Sequence, residues 1–376
     1  MAAIINRAYP RLLGWSTAIA IVSSLCLIEA GQGSTIRKDE QVMFFPSFAV
    51  EGDGASWTAR VHGWIFEPET GDDRDGLSRA LGELIARRFG LSREAILKDS
   101  VEAAQRFERR SAPFFVDNEG GKEVAVMVAG AKGVMEESEE NGHFEGTMAL
   151  PAGAGAAGEW VNVRAILRSG DARVFAGKLQ LIPRAGTTII SDIDDTIKHS
   201  EVRDKIQLGL NTFAREFRAT PGTAALYRRW ARGDGQVVFH YVSGSPFQLF
   251  SDLAEFARRD GFPDGSFHLR KLRLKDSSVA QFFGDPQEFK LATIRRIIGQ
   301  FKDRRFILVG DSGEQDPEVY ATLASESSNV DAILIRDVTN ETVDSPRYTK
   351  LFASVPARVQ RRVFRATSEL DDFTPR

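Results

Sequence analysis

The sequence predicts an α/β protein: a Rossmann-like parallel sheet in the second half, preceded by an all-β, sandwich-like domain with a helical insertion. Three observations carry this expectation. From Thr187 onward, short continuous apolar runs alternate with amphipathic stretches, the pattern of a parallel sheet covered on both faces. Between Gln41 and Pro183 the dominant pattern is period-two alternation broken by glycine turns. Within that β-rich stretch, around residues 76–110, apolar residues recur at helical spacing.

The chain has 376 residues, enough for two domains. With 42% apolar and 27% charged residues it can bury an ordinary globular core. A formal charge of -3 argues against a dedicated nucleic-acid binder, which is usually basic. The single cysteine, Cys26, lies near the N-terminus, so the remainder has no disulfide framework and no cysteine-based zinc site. The histidines (His62, His143, His199, His240 and His268) are scattered and form no ligand pair on one helical face.

Residues 1–33 have the layout of a secretory signal peptide. Arg7 and Arg11 precede an uncharged apolar stretch from Leu12 to Ile28, and Ala30, Gly31 and Gly33 are small residues near a cleavage point. The stretch falls short of the roughly 20 apolar residues of a bilayer span, which leaves an uncleaved membrane anchor as the alternative. On either reading the rest of the chain is expected outside the cytoplasm: periplasmic, extracellular or membrane-anchored.

The β-rich domain is expected over residues 41–185. Trp57 to Phe66 is dense in β-formers, Val124 to Val128 is a short apolar run, Asn141-Gly142 signals a hairpin, and Val161, Val163, Ala165 and Leu167 alternate with polar residues. In the insertion Leu77, Leu81, Leu84 and Ile85 share helical spacing, and Ser92 can cap a second helix. The α/β domain is expected over 186–350, followed by a tail over 351–376. Its predicted strands are Thr187–Ser191, Val237–Val242, Arg305–Val309 and Ala332–Ile335, and a helix aligns Leu291, Ile294, Ile298 and Phe301. Such sheets bind ligands beyond the carboxyl ends of their strands, so chemistry is sought there.

Four groups lie at or near those ends. Ser191-Asp192-Ile193-Asp194-Asp195-Thr196 follows the first strand; three carboxylates so close repel unless a cation or shared proton relieves them. An all-oxygen set favours a hard ion, and magnesium suits a phosphate partner. Ser243-Gly244-Ser245 ends the second strand, where a hydroxyl and backbone N–H groups can face an anion, although alone it reads as an ordinary turn. Lys290 sits near a helix start, against the usual preference for acids there. Asp311 and Asp316 follow the third strand across Gly310.

In this order and context the groups resemble the haloacid dehalogenase superfamily of phosphohydrolases over roughly residues 187–340. Residues 191–198, 239–246, 307–320 and 335–338 look like the catalytic domain of the actin-patch-associated phosphatidate phosphatase family. Two positions depart from its pattern: Gly244 stands where that family often has Asn, and Phe289 where it often has His. The resemblance implies that Asp192 is a nucleophile forming an aspartyl-phosphate and that Asp194 is the general acid and base. It implies that Thr196 orients the loop and that Ser243, Gly244 and Lys290 hold the phosphoryl oxygens. Asp192, the main-chain carbonyl of Asp194, Asp311 and Asp316 would hold Mg2+. The implied substrate is phosphatidate, giving diacylglycerol and phosphate; a soluble phosphomonoester, or a binding protein with a degenerate phosphatase fold, are the alternatives. A phospholipid substrate implies a membrane surface. The run Arg270, Lys271, Arg273, Lys275, interleaved with leucines and followed by Phe282 and Phe283, is either that surface or an edge strand with a solvated charged face.

Overall fold

Period-two alternation in the first half gives nine strands among the described residues: β1 (Gln41–Phe44), β2 (Ser47–Glu51), β3 (Trp57–Glu67), β4 (Asp117–Asn118), β5 (Ala125–Val128), β6 (Ala131–Val134), β7 (His143–Leu150), β8 (Trp160–Ala165) and β9 (Ala176–Ile182). A computed structural model describes residues 33–68, 82–232, 236–272 and 286–375. The leader up to residue 32, Leu77 and Leu81 of the insertion, and the basic run from Arg273 through Phe283 lie outside the described residues. No described helix is long and apolar enough to cross a membrane.

The β-rich half is one connected, largely antiparallel sheet rather than two separately bonded ones. The long strand β3 is the reason: it pairs with β1, β2, β4 and β7 along its length. The sheet surrounds a core containing Trp57, Val61, Phe144, Leu179 and Leu181. The insertion folds as helical residues 82–88 (α1), Arg93–Asp99 (α2) and Val101–Ser111 (α3). Ser92 and Ser100 cap the last two through their hydroxyls, satisfying N–H groups that a helix start leaves unpaired.

The second half is a parallel sheet of six strands among the described residues: β10 (Gly186–Ser191), β11 (Val238–Pro246), β12 (Gly265–Arg270), β13 (Arg304–Asp311), β14 (Val330–Arg336) and β15 (Gln360–Phe364), in spatial order β12-β11-β10-β13-β14-β15. Its helices are α4 (Lys205–Gly209), α5 (Thr223–Ala231), α6 (Phe250–Asp260), α7 (Pro286–Gln300), α8 (Asp316–Glu326) and α9 (Pro346–Phe352). The four predicted strands are present, and edge strands β12 and β15 extend the sheet on both sides. Strand β15 falls in the stretch read as a tail because Gln360-Arg361-Arg362 gives no apolar run. Phe364, Leu370 and Phe373 are nevertheless buried in the shared core.

That core joins the halves: Phe45 and Trp64 of the β-rich sheet pack in one cluster with Phe213, Phe247 and Phe250. Arg304 ties the connection down. Fully buried, it donates to the carbonyls of Pro183 (2.9 Å), Ala185 (2.5 Å), Thr187 (2.6 Å) and Gln236 (2.8 Å) and to Thr188 Oγ1 (2.8 Å). Arg304→Met would leave buried carbonyls without donors. At about 1–3 kcal/mol for each unsatisfied group, the expected loss is at least about 3 kcal/mol in denaturant unfolding. An unchanged unfolding midpoint would contradict this role.

Candidate active site

Strand order places β10 at the centre, flanked by β11 and β13, so the loops after these three strands share one rim. The Asp192 N–H donates to the Val309 carbonyl (2.9 Å), which fixes the first loop against β13. The Asp192 carboxylate is buried, and its Oδ1 lies 2.8 Å from Lys290 Nζ. Neither Asp192 oxygen has a hydrogen bond of good geometry, so that contact is an ion pair rather than an aligned bond.

Lys290 is surrounded by acids. Asp316 Oδ1 lies 2.6 Å and Glu314 Oε2 2.9 Å from its Nζ. Burial works against the ammonium, yet Asp192, Asp316 and Glu314 together hold its pKa well above the ordinary lysine range. Burial pushes the Asp192 carboxyl well up; Lys290 opposes this, while Asp316, Asp311 and Glu314 reinforce it. Asp311 is likewise driven well up by burial and by Asp316. Asp311 Oδ1 accepts from Gly313 N (2.6 Å), leaving Oδ2 buried without a partner. One oxygen each from Asp192, Asp311 and Asp316 falls within 4.8 Å of the others, and all three residues are buried. The buried Asp192 and Asp311 oxygens left without hydrogen bonds suit a hard divalent cation, which takes oxygen ligands and offsets their charge.

Gly310 is required here by sterics. A Cβ at this position would stand 2.3 Å from Asp316 Oδ2, an oxygen that also accepts from Asp311 N. Gly310→Ala therefore displaces Asp316 from Lys290. Misplacement near 1 Å costs about 10²-fold in turnover. The expected result is that loss of kcat with little change in melting temperature; full activity would contradict it.

The other predicted residues form a second polar cluster. Asp194 Oδ1 is held by Lys198 Nζ (2.8 Å) and Ser200 Oγ (2.7 Å), and Oδ2 by Ser243 Oγ and Ser245 Oγ (both 3.0 Å). Burial alone would raise this carboxyl, but Lys198 and the hydroxyl bonds hold it well below the usual range. Asp194 is therefore ionised in this arrangement, and Ser243 spends its hydroxyl proton on it. Gly244 lies beside Pro286 at the start of α7, which brings the β11 loop to the helix carrying Lys290. The Thr196 hydroxyl is buried without a hydrogen-bond partner among the described residues.

Asp195, the third carboxylate of the first loop, turns away from the acid cluster. It accepts N–H bonds from Ser200 (2.8 Å), Glu201 (2.9 Å) and Val202 (2.7 Å), and its φ of 55° reverses the chain. Its charge is relieved by amides. Residues not singled out in the sequence also matter. Lys198 stands at i+4 from Asp194, a spacing visible in the sequence. Glu314 sits in a polar loop, where nothing in the spacing shows its pairing with Lys290. Arg347 of α9 donates to the carbonyls of Ser312 (2.9 Å) and Glu314 (3.0 Å), bracing the turn between Asp311 and Asp316 from beyond that segment. The described part of the basic run faces inward: Leu269 and Leu272 are buried, and Lys271 pairs with Glu139 and Glu145 (both 2.7 Å).

A buried carboxylate-and-lysine cluster at the carboxyl rim of a parallel sheet defines an α/β protein with its polar site at the strand ends. Residues 187–337 match the family described as "Phosphatidate phosphatase APP1, catalytic domain". The chain is 34% identical over 166 residues to phosphatidate phosphatase APP1 of Saccharomyces cerevisiae, covering 43% of this chain and 28% of that one. It is 30% identical over 205 residues to an uncharacterized protein of Schizosaccharomyces pombe, covering 53% of this chain and 33% of that one. The chain thus spans no more than a third of the length of these curated relatives.

Proposed function

We propose that the chain is a magnesium-dependent phosphatase of haloacid dehalogenase type that converts phosphatidate to diacylglycerol and phosphate through an aspartyl-phosphate on Asp192. The observation that carries this reading is the convergence of buried Asp192, Asp311 and Asp316 on Lys290 at the sheet rim. Asp192, the Asp194 carbonyl, Asp311 and Asp316 would hold the ion. Bound there, magnesium supplies positive charge that offsets the carboxylates and the phosphoryl oxygens.

An Asp192 oxygen attacks phosphorus, and the bond from phosphorus to the glycerol oxygen breaks. Lys290 and the Gly244 backbone steady the phosphoryl oxygens as charge redistributes, joined by Ser243 once its hydroxyl is released from Asp194. An incoming phosphate dianion opposes the forces that hold Asp194 ionised, so its pKa rises toward the range where it carries the leaving-group proton. The same carboxylate then takes a proton from the water that cleaves the acyl phosphate. Thr196 keeps the loop oriented. A leader of the kind expected for residues 1–33 places this chemistry outside the cytoplasm.

The test is phosphate release by the purified chain in magnesium, from phosphatidate vesicles and from a panel of soluble phosphomonoesters. Turnover of phosphatidate that disappears on chelation supports the reading. Turnover of soluble esters with phosphatidate untouched overturns the lipid assignment, and no phosphate release from any substrate overturns the enzyme.

A further inference from the structure

Large apolar side chains exposed to water are few among the described residues: Leu84 (39% exposed), Leu97 (48%), Val174 (72%), Ile206 (46%) and Val343 (45%). Their distribution is uneven. Leu84 and Leu97 lie on α1 and α2, and Ile206 on α4; these helices form one layer. A Cβ at Gly209 would meet Phe89 at 2.5 Å and Leu91 at 3.0 Å, and one at Gly90 would meet Ile206 at 3.7 Å. Val343 lies on the stretch after β14. The candidate active site lies between these elements: Val202, just ahead of α4, and Val338, just after β14, each come within 3.0 Å of the Cβ position of Gly313. Gly313 belongs to the turn that carries Asp311, Glu314 and Asp316. Ile206 and Val343 therefore follow the two segments that touch the site turn, and Leu84 and Leu97 belong to the helices packed beside α4.

The charges in the same layer are also uneven. Its acids are occupied locally: Glu83 pairs with Arg87, Glu94 with Lys98 and Asp99 with Arg215, while Asp204 accepts from the Ile206 and Gln207 amides to cap α4. Arg93, Arg203 and Lys205 are exposed and have no ion-pair partner among the described residues. Over residues 82–99 and 201–209, Glu201 and Asp204 included, the sequence carries six cations against five acids, although the chain as a whole carries -3.

We propose that this layer, with Leu97 and Ile206 as apolar contacts and Arg93, Arg203 and Lys205 as cations, is the surface that seats the protein on an anionic lipid bilayer. The inference rests on the phosphatidate reading, since a bilayer-embedded substrate requires the site's rim at the headgroups. Short apolar side chains reach the headgroup boundary, and neighbouring cations find anionic lipid there. Lys271, in the described part of the basic run, is paired with Glu139 and Glu145.

Flotation of the purified chain tests this with vesicles of phosphatidylcholine, alone or doped with phosphatidylserine, an anionic lipid that is not the substrate. The wild type floats with doped vesicles and not with phosphatidylcholine alone. Arg93→Ser/Arg203→Ser/Lys205→Ser lowers partition by about 10²-fold, at roughly fivefold per cation, and Leu97→Ser/Ile206→Ser lowers it as well. Both variants keep wild-type turnover of a soluble phosphomonoester and a wild-type melting curve, which separates docking from folding and chemistry. Wild-type protein that ignores the doped vesicles, or variants that float as the wild type does, would overturn the proposal. If wild type floats and the variants do not, while phosphatidate is left intact and soluble esters turn over, the docking surface stands and the phosphatidate reading fails.

Discussion

Asp192→Asn is expected to abolish phosphate release while leaving the fold as stable as the wild type or more so. Asparagine keeps the volume and removes the nucleophile, for which a loss of at least about 10³-fold in kcat is ordinary. The stability half follows from crowding. Asp192, Asp311, Glu314 and Asp316 face one ammonium, and burial already drives the Asp192 and Asp311 carboxyls well up. Removing one of four acids relieves repulsion, and Lys290 retains Asp316 at 2.6 Å and Glu314 at 2.9 Å. Lys290→Met is the contrasting variant, because it strips the cation from buried carboxylates. Removing one partner of a buried pair costs about 3–5 kcal/mol. Magnesium is expected to raise the melting temperature of the wild type, and to do so less in Asp192→Asn, which lacks one ligand charge. Parallel calorimetry and phosphate release on the variants check both halves. Wild-type turnover in Asp192→Asn would remove the nucleophile from the mechanism. A destabilised Asp192→Asn would mean that the cluster is not crowded.

The central strands of the parallel sheet are legible in the sequence because burial on both faces makes them continuous apolar runs, as in Ile307-Leu308-Val309 and Ala332 to Ile335. Once they are recognised, the strand-end rule leads to Asp192, Ser243 and Asp311 without coordinates. Edge strands are harder: β15 has one solvated side and reads as polar. The inner wiring of the site is hidden for another reason. Nothing in the spacing shows that Asp195 turns to backbone amides while Asp194 goes to Lys198 and two serines, since both acids sit in one loop with the same flanks. Arg347, far along the chain, bonds to main-chain carbonyls, which carry no side-chain signature. The histidines illustrate the same limit. They are scattered in sequence, yet strand pairing and the contact between the halves bring four of them together.

Those four are expected to make the protein acid-labile below about pH 6.5, the ordinary histidine range. His62 Nε2 lies 3.0 Å from His143 Nδ1 in the β-rich sheet, and His240 Nδ1 lies 3.2 Å from His268 Nε2 and 2.6 Å from Ser266 Oγ in the parallel sheet. Phe45, Phe48 and Phe247 pack against these rings where the halves meet. Burial drives all four pKa values down, that of His240 to about 3. The neighbouring charges mostly add to the effect: Lys271, Arg296 and Arg60 around His62 and Arg304 near His240 disfavour an imidazolium, and only Glu145, beside His143, favours one. The sign of the pH dependence follows. Between pH 6.5 and the depressed folded values, the unfolded chain takes up protons that the folded chain refuses, so stability present at neutral pH is lost as pH falls. Each ring that stays neutral contributes a slope of about 1.4 kcal/mol per pH unit, so the four together outweigh any surface ion pair. His199, at the surface near Glu201 and away from the ring cluster, serves as a control. Urea unfolding from pH 7.5 to 5 should show a steep fall in stability. The slope should shrink in His240→Gln, which removes one titrating ring from the interface, and persist in His199→Gln. A pH-independent midpoint across that range would mean that the histidines accept protons within the folded protein.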